Sequence, residues 1–245
     1  MQDTLLTFPK GGVHPPESKM LSEHLAIETL PLPEEVDLLL QQHFGAPCKP
    51  VVDKKAKVSE GDVVGEVAGG LGASIHASVT GTVKGVGAST NPISVTSASI
   101  TIQTDREAPA RTYPLEDWRS LPVEELKKRV KAAGIVGIGG AGFPTHVKLS
   151  PPPEAKVDQL LINGVECEPY LTTDHRLMLE HPADIIEGAK IILTLLGIKE
   201  CHIGIEANAM TAWKVEAHRI DAVGHQMAAS PHISHCYSRR VTVQW

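Results

Sequence analysis

The chain of 245 residues is poor in cysteine, and its cysteines are scattered. The four of them, Cys48, Cys167, Cys201 and Cys236, include no Cys-x-x-Cys pair. A small secreted disulfide scaffold is denser in cysteine, and a zinc site or an iron–sulfur cluster needs clustered thiolates. We therefore interpret these cysteines as reduced and buried, and we predict no metal site in the chain.

The sequence also lacks a long hydrophobic run and an excess of basic residues. Its longest apolar stretch, residues 185–198, is interrupted by Glu187 and Lys190 and is too short to cross a bilayer. The N-terminus has neither the basic start nor the apolar run of a secretory signal. A net charge of −6 argues against sequence-independent nucleic-acid binding. These features predict a soluble, cytoplasmic chain without a membrane span.

Short β-branched segments, separated by turn residues, follow a proline-rich start that favours extended chain and turns. They are residues 49–52, 63–64, 75–79, 82–86, 93–95 and 99–103. This pattern predicts a β-rich barrel or sandwich domain over residues 1–110. A charged stretch, residues 104–120, is predicted to be a linker.

Helical periodicity replaces the strand pattern in the second half. Predicted helices begin at Val123 and cover residues 182–196, and predicted strands cover 157–162 and 202–205. A strand, a helix and a strand indicate an α/β domain with a parallel sheet over residues 111–217, with a further helix beginning near Met210. No period persists over residues 218–245, which we predict to be an atypical, disordered tail. The four histidines and one cysteine of that tail are not spaced like paired zinc ligands.

A glycine-rich loop matches the pattern G-x-G-x-x-G by letter, through Gly137, Gly139, Gly140 and Gly142. The dinucleotide-binding version needs a preceding strand and a following helix, and here Pro144 disfavours the helix. Glycines still let a backbone approach an anion such as a phosphate, and Lys148 adds a cation. The loop is therefore either a phosphate-binding loop or a structural turn.

A second polar cluster follows the predicted strand 157–162 and contains Asn163, Glu166 and Glu168. In open α/β sheets, ligands bind outside the carboxyl ends of the strands. One amide and two carboxylates there could hold ring nitrogens, ribose hydroxyls or a nicotinamide amide. The two carboxylates would project to the same side if the chain is extended. A solvated acidic turn is the alternative.

Together these segments resemble the flavin-binding segment of the NADH-oxidising subunit of complex I and, more closely, the C subunit of the Rnf ion-translocating electron-transport complex. The resemblance covers residues 5–210 in order. The segments that carry it are residues 11–17, 40–47, 137–145, Lys148, 163–169, 174–176 and 187–188. Residues 58–66 and 75–83 also resemble a biotinyl/lipoyl-like barrel-sandwich, but the interval between them has no lysine, so a role in docking or assembly is expected.

The resemblance implies a non-covalent FMN that accepts hydride from NADH and passes electrons to iron–sulfur clusters. By residue, it implies that Gly137, Gly139, Gly140 and Gly142 lie along a phosphate and that Lys148 pairs with an FMN oxygen. It also implies that Asn163 and Glu166 contact the flavin, with Glu168 nearer the NADH. Ile138 and Val165 stand where the complex I pattern has Arg and Asp, so the charged contacts expected there are missing.

The leading hypothesis is an N-terminal portion of an Rnf-type subunit that transfers electrons between NADH and ferredoxin-type carriers. Its partners would be the other membrane subunits of the complex and a ferredoxin-type carrier, at the cytoplasmic side of the bacterial inner membrane. Family members continue to a ferredoxin-like region that holds the [4Fe-4S] clusters, so we expect a truncated or frame-shifted reading of a longer gene. The alternative is a non-catalytic assembly or docking module.

Overall fold

The computed structural model describes residues 16–90, 96–114, 116–138, 140–166 and 168–205, and the backbone of residues 226–230 and 242–243. The chain forms two compact units. We call Leu30–Leu149 the β unit, and Met1–Thr29 with Ser150–Gln244 the α/β unit. This division falls at a different place from the predicted domain boundary at residue 110, because the helices that follow the barrel segment belong to the β unit.

Two antiparallel sheets form the β unit. One has the strand order β1-β7-β6-β3 and the other the order β2-β4-β5. The strands are β1 (Glu35–Leu39), β2 (Lys49–Pro50), β3 (Lys57–Val58), β4 (Val63–Glu66), β5 (Ile75–His76), β6 (Gly81–Thr90) and β7 (Thr96–Thr104). Residues of these strands, together with Leu40 directly after β1, supply one buried core that includes Val64, Val83, Ile100 and Ile102. Burial of these side chains is the main force that holds the unit together.

Most of the predicted strands of the β unit are present, and two of its strands, β1 and β3, were not predicted. The predicted strand at 93–95 lies outside the described residues. The sequence does not predict β1, because the prolines of residues 1–50 favour extended chain and turns. This strand pairs with β7 over Glu35–Leu39, so a partner distant in sequence stabilises it. The very short β3 depends in the same way on its pairing with β6.

Two helices complete the β unit, α1 (Val123–Ala132) and the short α2 (Thr145–Lys148). The predicted helix from Val123 is therefore confirmed. Part of the predicted linker packs on the barrel segment, because the Arg111 guanidinium donates to the Asp62 carboxylate at 2.8 Å. A single 3-10 turn, Trp118–Ser120, precedes α1, and the Asp117 side chain accepts from the backbone N–H of Arg119 at its start.

A parallel sheet of order β10-β9-β8-β11 forms the centre of the α/β unit. Its elements are β8 (Gln159–Gly164), α3 (Thr173–Glu180), α4 (Pro182–Leu196), β9 (Glu200–Ile205), β10 (Gln226–Ser230) and β11 (Thr242–Val243). The predicted α4 is confirmed; Pro182 opens it and Gly197, with φ 66°, ends it in the left-handed conformation. The parallel pairing of β8 with β9 confirms the predicted α/β class. Within the described residues, no helix is long and apolar enough to cross a membrane.

The predicted tail, residues 218–245, is described only in part. Residues 206–225 and 231–241 lie outside the described residues, and so does the helix predicted to begin near Met210. The two described stretches are strands β10 and β11, which pair in parallel with β9 and β8. The sequence predicts no strand there, because that stretch has no alternation of apolar and polar residues. The backbone N–H and C=O groups of β10 and β11 find their hydrogen-bond partners in β9 and β8, and the local sequence pattern does not specify that pairing.

Candidate functional site

The glycine loop closes a narrow turn in the β unit. The backbone N–H of Gly137 donates to the Phe143 carbonyl at 3.0 Å, and that of Gly142 donates to the Gly137 carbonyl at 3.2 Å. Val136 and Pro144 form an antiparallel bridge at the base of this turn. Gly140 is exposed at the tip, while Gly139 lies outside the described residues. The loop therefore joins an isolated bridge to the short helix α2, and this helix begins directly after Pro144, where the sequence disfavoured one.

A segment of the barrel holds this loop from one side. The Phe44 backbone N–H donates to the Gly142 carbonyl at 3.0 Å. The Phe44 and Phe143 rings stack with their centroids 5.7 Å apart and their planes at 27°. Residues 40–47 carry part of the family resemblance, but the sequence did not predict a place for them at the glycine loop. The only sequence feature that singled out residues 40–47 was their membership of the family motifs, and it did not indicate a contact with the glycine loop.

His43 fixes the conformation of the same segment and is only 6% exposed. The backbone N–H of Ala73 donates to the His43 Nε2 at 3.4 Å. Because that N–H can only donate, Nε2 accepts, and the ring proton lies on Nδ1, which is 3.2 Å from the Phe44 carbonyl. The Cys48 thiol donates to the Ala73 carbonyl at 3.2 Å. This network ties the Phe44 backbone to the barrel core.

Lys148 lies at the end of α2, in the same unit as the glycine loop. Its side chain is half-buried, and burial lowers the pKa of its ammonium. Among the described residues no acceptor or carboxylate pairs with that ammonium. The pKa of the neighbouring His146 is also lowered, first by burial and then by the charge of Lys131. An anion beside the Lys148 ammonium would therefore offset the burial of its charge.

Asn163 lies near the carboxyl end of β8, where ligands bind in open parallel sheets. Its side-chain Oδ1 accepts from the backbone N–H of Val165 at 3.0 Å. This Asx turn fixes the orientation of the amide, with the oxygen toward the backbone. The amide nitrogen is then the group that Asn163 can offer to a carbonyl oxygen of a ligand.

The side chain of Glu166 is only 5% exposed and has two partners in the α/β unit. Its Oε1 accepts from the backbone N–H of Asp174 at 2.7 Å, in the first turn of α3. Its Oε2 lies 3.5 Å from the Nζ of Lys19, which is itself 7% exposed. The predicted flavin contact of Glu166 stays a prediction, and in this structure the carboxylate joins two parts of the chain.

The expectation that Glu166 and Glu168 project to the same side required an extended chain and stays a prediction. β8 ends at Gly164, so the alternation of an extended strand does not continue to these residues. The Glu166 side chain is buried, whereas Glu168 is exposed. The predicted site residues Gly137, Gly140, Gly142 and Lys148 belong to the β unit, and Asn163, Glu166 and Glu168 belong to the α/β unit.

Potential metal ligands do not gather in the part of the chain that the structure describes. No group of three or more His, Cys, Asp or Glu side chains there could hold a metal ion. Cys48 and Cys201 are free and buried. The histidines of the predicted tail, His218, His225, His232 and His235, lie outside the described residues together with Cys236.

Comparison with known protein families gives two matches, arranged in order along the chain. Residues 6–107 match the family described as the RnfC barrel sandwich hybrid domain, and residues 130–243 match the Nuo51 FMN-binding domain. The resemblance to the C subunit of the Rnf complex is confirmed. The first match also confirms the predicted barrel-sandwich class of the N-terminal domain.

Several curated proteins are similar to this chain and carry Rnf-type names. The C subunit of the proton-translocating ferredoxin:NAD(+) oxidoreductase complex of Clostridium ljungdahlii is 39% identical over 222 residues, which is 88% of this chain and 49% of that protein. The C subunit of the Na(+)-translocating ferredoxin:NAD(+) oxidoreductase complex of Acetobacterium woodii is 38% identical, over 88% of this chain and 48% of its own length. The C subunit of the ion-translocating oxidoreductase complex of Rhodobacter capsulatus is 39% identical, over 88% and 42% respectively. The chain thus spans about half the length of these relatives.

Proposed function

We propose that this chain binds FMN as the flavin-carrying part of an Rnf-type C subunit. In that role it takes part in electron transfer between NADH and a ferredoxin-type carrier. The observation that carries the proposal is the match of residues 130–243 to an FMN-binding domain. Lys148 supports it, because a half-buried ammonium without a partner among the described residues suits the phosphate of FMN.

The predicted contacts divide between two chemistries. Gly137, Gly139, Gly140 and Gly142 allow close approach of a phosphate, with Lys148 as the charged partner. Asn163 would offer an amide N–H to a carbonyl oxygen of the flavin ring, and we assign Glu168 to the side nearer the NADH. When bound, FMN supplies the exchange between two-electron and one-electron transfer, and the protein supplies binding and orientation.

A titration of the purified chain with FMN tests this proposal. We expect binding in the parent chain and a loss of about ten- to hundred-fold in affinity in Lys148→Met, the range for a charge-assisted hydrogen bond. Lys54→Met is the matched control, because Lys54 is an exposed lysine of the same unit. Equal affinities in the parent chain and Lys148→Met would contradict the role of Lys148, and absence of binding in the parent would contradict the proposal itself.

The proposal also covers the location, the partners and the substrate of the chain. We place the chain at the cytoplasmic side of the bacterial inner membrane, held peripherally by the other membrane subunits of the complex. NADH is the proposed substrate, and Cys48 and Cys201 are not assigned as ligands of an iron–sulfur cluster, because each is a single, buried cysteine. We expect the chain to co-purify with the other subunits, and we expect deletion of residues 30–110 to abolish that co-purification.

A non-catalytic docking module is the second candidate function. The observation that favours it is the barrel-sandwich match combined with a turn between β4 and β5 that contains no lysine. Such a domain cannot carry a lipoyl- or biotinyl-type arm, and binding to a partner is then its remaining role. A chain that joins the complex but leaves FMN unbound would favour this candidate.

A further inference from the structure

The N-terminal residues 17–27 contact the chain that follows β8, within the α/β unit. The backbone N–H of Tyr170 donates to the Glu17 carbonyl at 2.8 Å. The Ser22 hydroxyl donates to the Tyr170 carbonyl at 3.2 Å, and the Thr172 hydroxyl donates to the Ser22 hydroxyl at 2.9 Å. We call residues 17–27 the N-terminal strap. Its sequence neighbours are the residues of the barrel, yet it packs on the segment that precedes α3.

The strap also contacts α3 along its length. The Arg176 guanidinium donates to the Glu23 carbonyl at 3.2 Å, and the backbone N–H of Ile27 donates to the Glu180 carboxylate at 3.0 Å. Arg176 and Glu180 pair with each other at 2.6 Å. These polar contacts lie near the surface, so each contributes little to stability by itself.

The buried contact of the strap is the ion pair between Lys19 and Glu166. Both side chains are almost fully buried, at 7% and 5% exposure. The same carboxylate accepts from the backbone N–H of Asp174, at the start of α3, where Thr172 makes no side-chain cap. Glu166 therefore acts as a side-chain cap of α3, because it accepts a hydrogen bond from a backbone N–H of the first turn. Its negative charge is also favourable at the positive N-terminal end of the helix dipole.

We propose that Lys19 is a positioning residue for the flavin segment, acting through Glu166. The proposal rests on the proposed function, because Asn163, Glu166 and Glu168 carry the predicted flavin and NADH contacts and Lys19 contacts the Glu166 carboxylate. Lys19 neutralises the buried carboxylate and thereby keeps it on α3. Glu166 in turn anchors the chain three residues after Asn163, whose amide is oriented by its own turn. Without Lys19, a buried carboxylate would be uncompensated and would move toward water, and the segment would move with it.

The test is a set of variants: Lys19→Met, Lys19→Arg, Glu166→Gln and the double variant Lys19→Met/Glu166→Gln. Lys156→Met is the matched control, an exposed lysine of the same unit. We expect Lys19→Met to weaken FMN binding about tenfold or more, and Lys19→Arg to restore most of it, because the guanidinium keeps the charge. The double variant should bind within about threefold of Glu166→Gln, since the two residues act as one unit. It also removes both buried charges, so it can be measured even where Lys19→Met folds poorly.

A second measurement separates this proposal from the proposed function. Glu166 holds the Asp174 amide, so Lys19→Met should speed hydrogen exchange of that amide at least tenfold, while Lys156→Met leaves it unchanged. This readout needs no FMN. If the parent chain does not bind FMN, the proposed function fails, but fast exchange in Lys19→Met still supports the link from Lys19 to Glu166. Unchanged exchange at Asp174, or FMN binding by Lys19→Met equal to that of the parent, would overturn the positioning role.

Discussion

The Phe44 backbone N–H donates to the Gly142 carbonyl at 3.0 Å, which joins the barrel to the glycine loop by a direct hydrogen bond. Two sequence motifs almost a hundred residues apart thereby form one piece of structure. The contact explains why the β unit continues to Leu149 and does not end with the barrel. The barrel therefore has a second role besides the docking role that was expected for it. It supports the conformation of the proposed phosphate-binding loop.

Gly142→Ala should disturb this contact. Gly142 has φ 66°, and a Cβ added there would lie 3.0 Å from the His43 Cα and 3.1 Å from the Gln42 carbonyl oxygen. The left-handed conformation alone costs an alanine about 1–2 kcal/mol, and the backbone atoms cannot move away easily. We expect a lower unfolding midpoint and weaker FMN binding. Gly69→Ala, with no atom within 4 Å of the added Cβ, is the control, and equal midpoints for the two variants would contradict the prediction.

His43→Leu should destabilise the β unit. The Ala73 backbone N–H would lose the His43 Nε2 as its acceptor, and a buried unsatisfied donor costs about 1–3 kcal/mol. Denaturant unfolding should show this loss in the midpoint. His24→Leu is the control, because the His24 side chain is 86% exposed. A His43→Leu chain as stable as the parent would mean that Ala73 finds another acceptor.

Local sequence signals predicted those elements whose stabilisation is local. Helix α4 has a proline at its start, a glycine at its end and a periodic apolar face, and it was predicted to the residue. Helix α3 was missed because its start is capped by Glu166, which lies outside the helix. The candidate site also combines residues with a local sequence signal and residues whose partners are distant in sequence. Lys148 and Asn163 could be chosen from motif spacing, whereas the partnership of Glu166 with Lys19 joins residues 147 positions apart, which no local pattern encodes.

Asn163→Asp tests the orientation of the amide. Aspartate can still accept from the Val165 N–H, so the turn and the fold should be kept. The amide nitrogen, however, is replaced by an oxygen that cannot donate to a flavin carbonyl at neutral pH. We expect unchanged thermal unfolding and FMN affinity reduced about tenfold, as measured by titration. If Asn163→Asp binds FMN as the parent does, the amide nitrogen is not a flavin ligand.

Cys48 and Cys201 should resist alkylation in the folded chain. Burial raises the pKa of the Cys201 thiol to about 12. The pKa of Cys48 is also raised, first by burial and then by the charge of Glu66. Since the thiolate is the reactive form, iodoacetamide at pH 8 should leave both unmodified in the native chain and modify both after denaturation. Peptide mass spectrometry reads each cysteine separately, and rapid native modification of Cys201 would show that β9 opens readily.

Lys148→Met should stabilise the ligand-free chain while weakening FMN binding. Burial lowers the pKa of Lys148 in the folded state, so folding disfavours its charged form. The unfolded chain then binds more protons than the folded chain between the lowered pKa and the ordinary value of about 10.4, and stability should rise with pH across that interval. Lys148→Met removes both the cost of burying the ammonium at neutral pH and this part of the pH dependence of stability.

The FMN affinity of the parent chain should fall over the same pH interval, because Lys148 loses the proton and the charge that would pair with the phosphate. Denaturant unfolding and FMN titration at pH 8 and pH 10 check both effects, with Lys54→Met as the control. A Lys148→Met chain that is less stable than the parent at pH 8 would show that the ammonium has a stabilising partner, and the phosphate role would then need another residue.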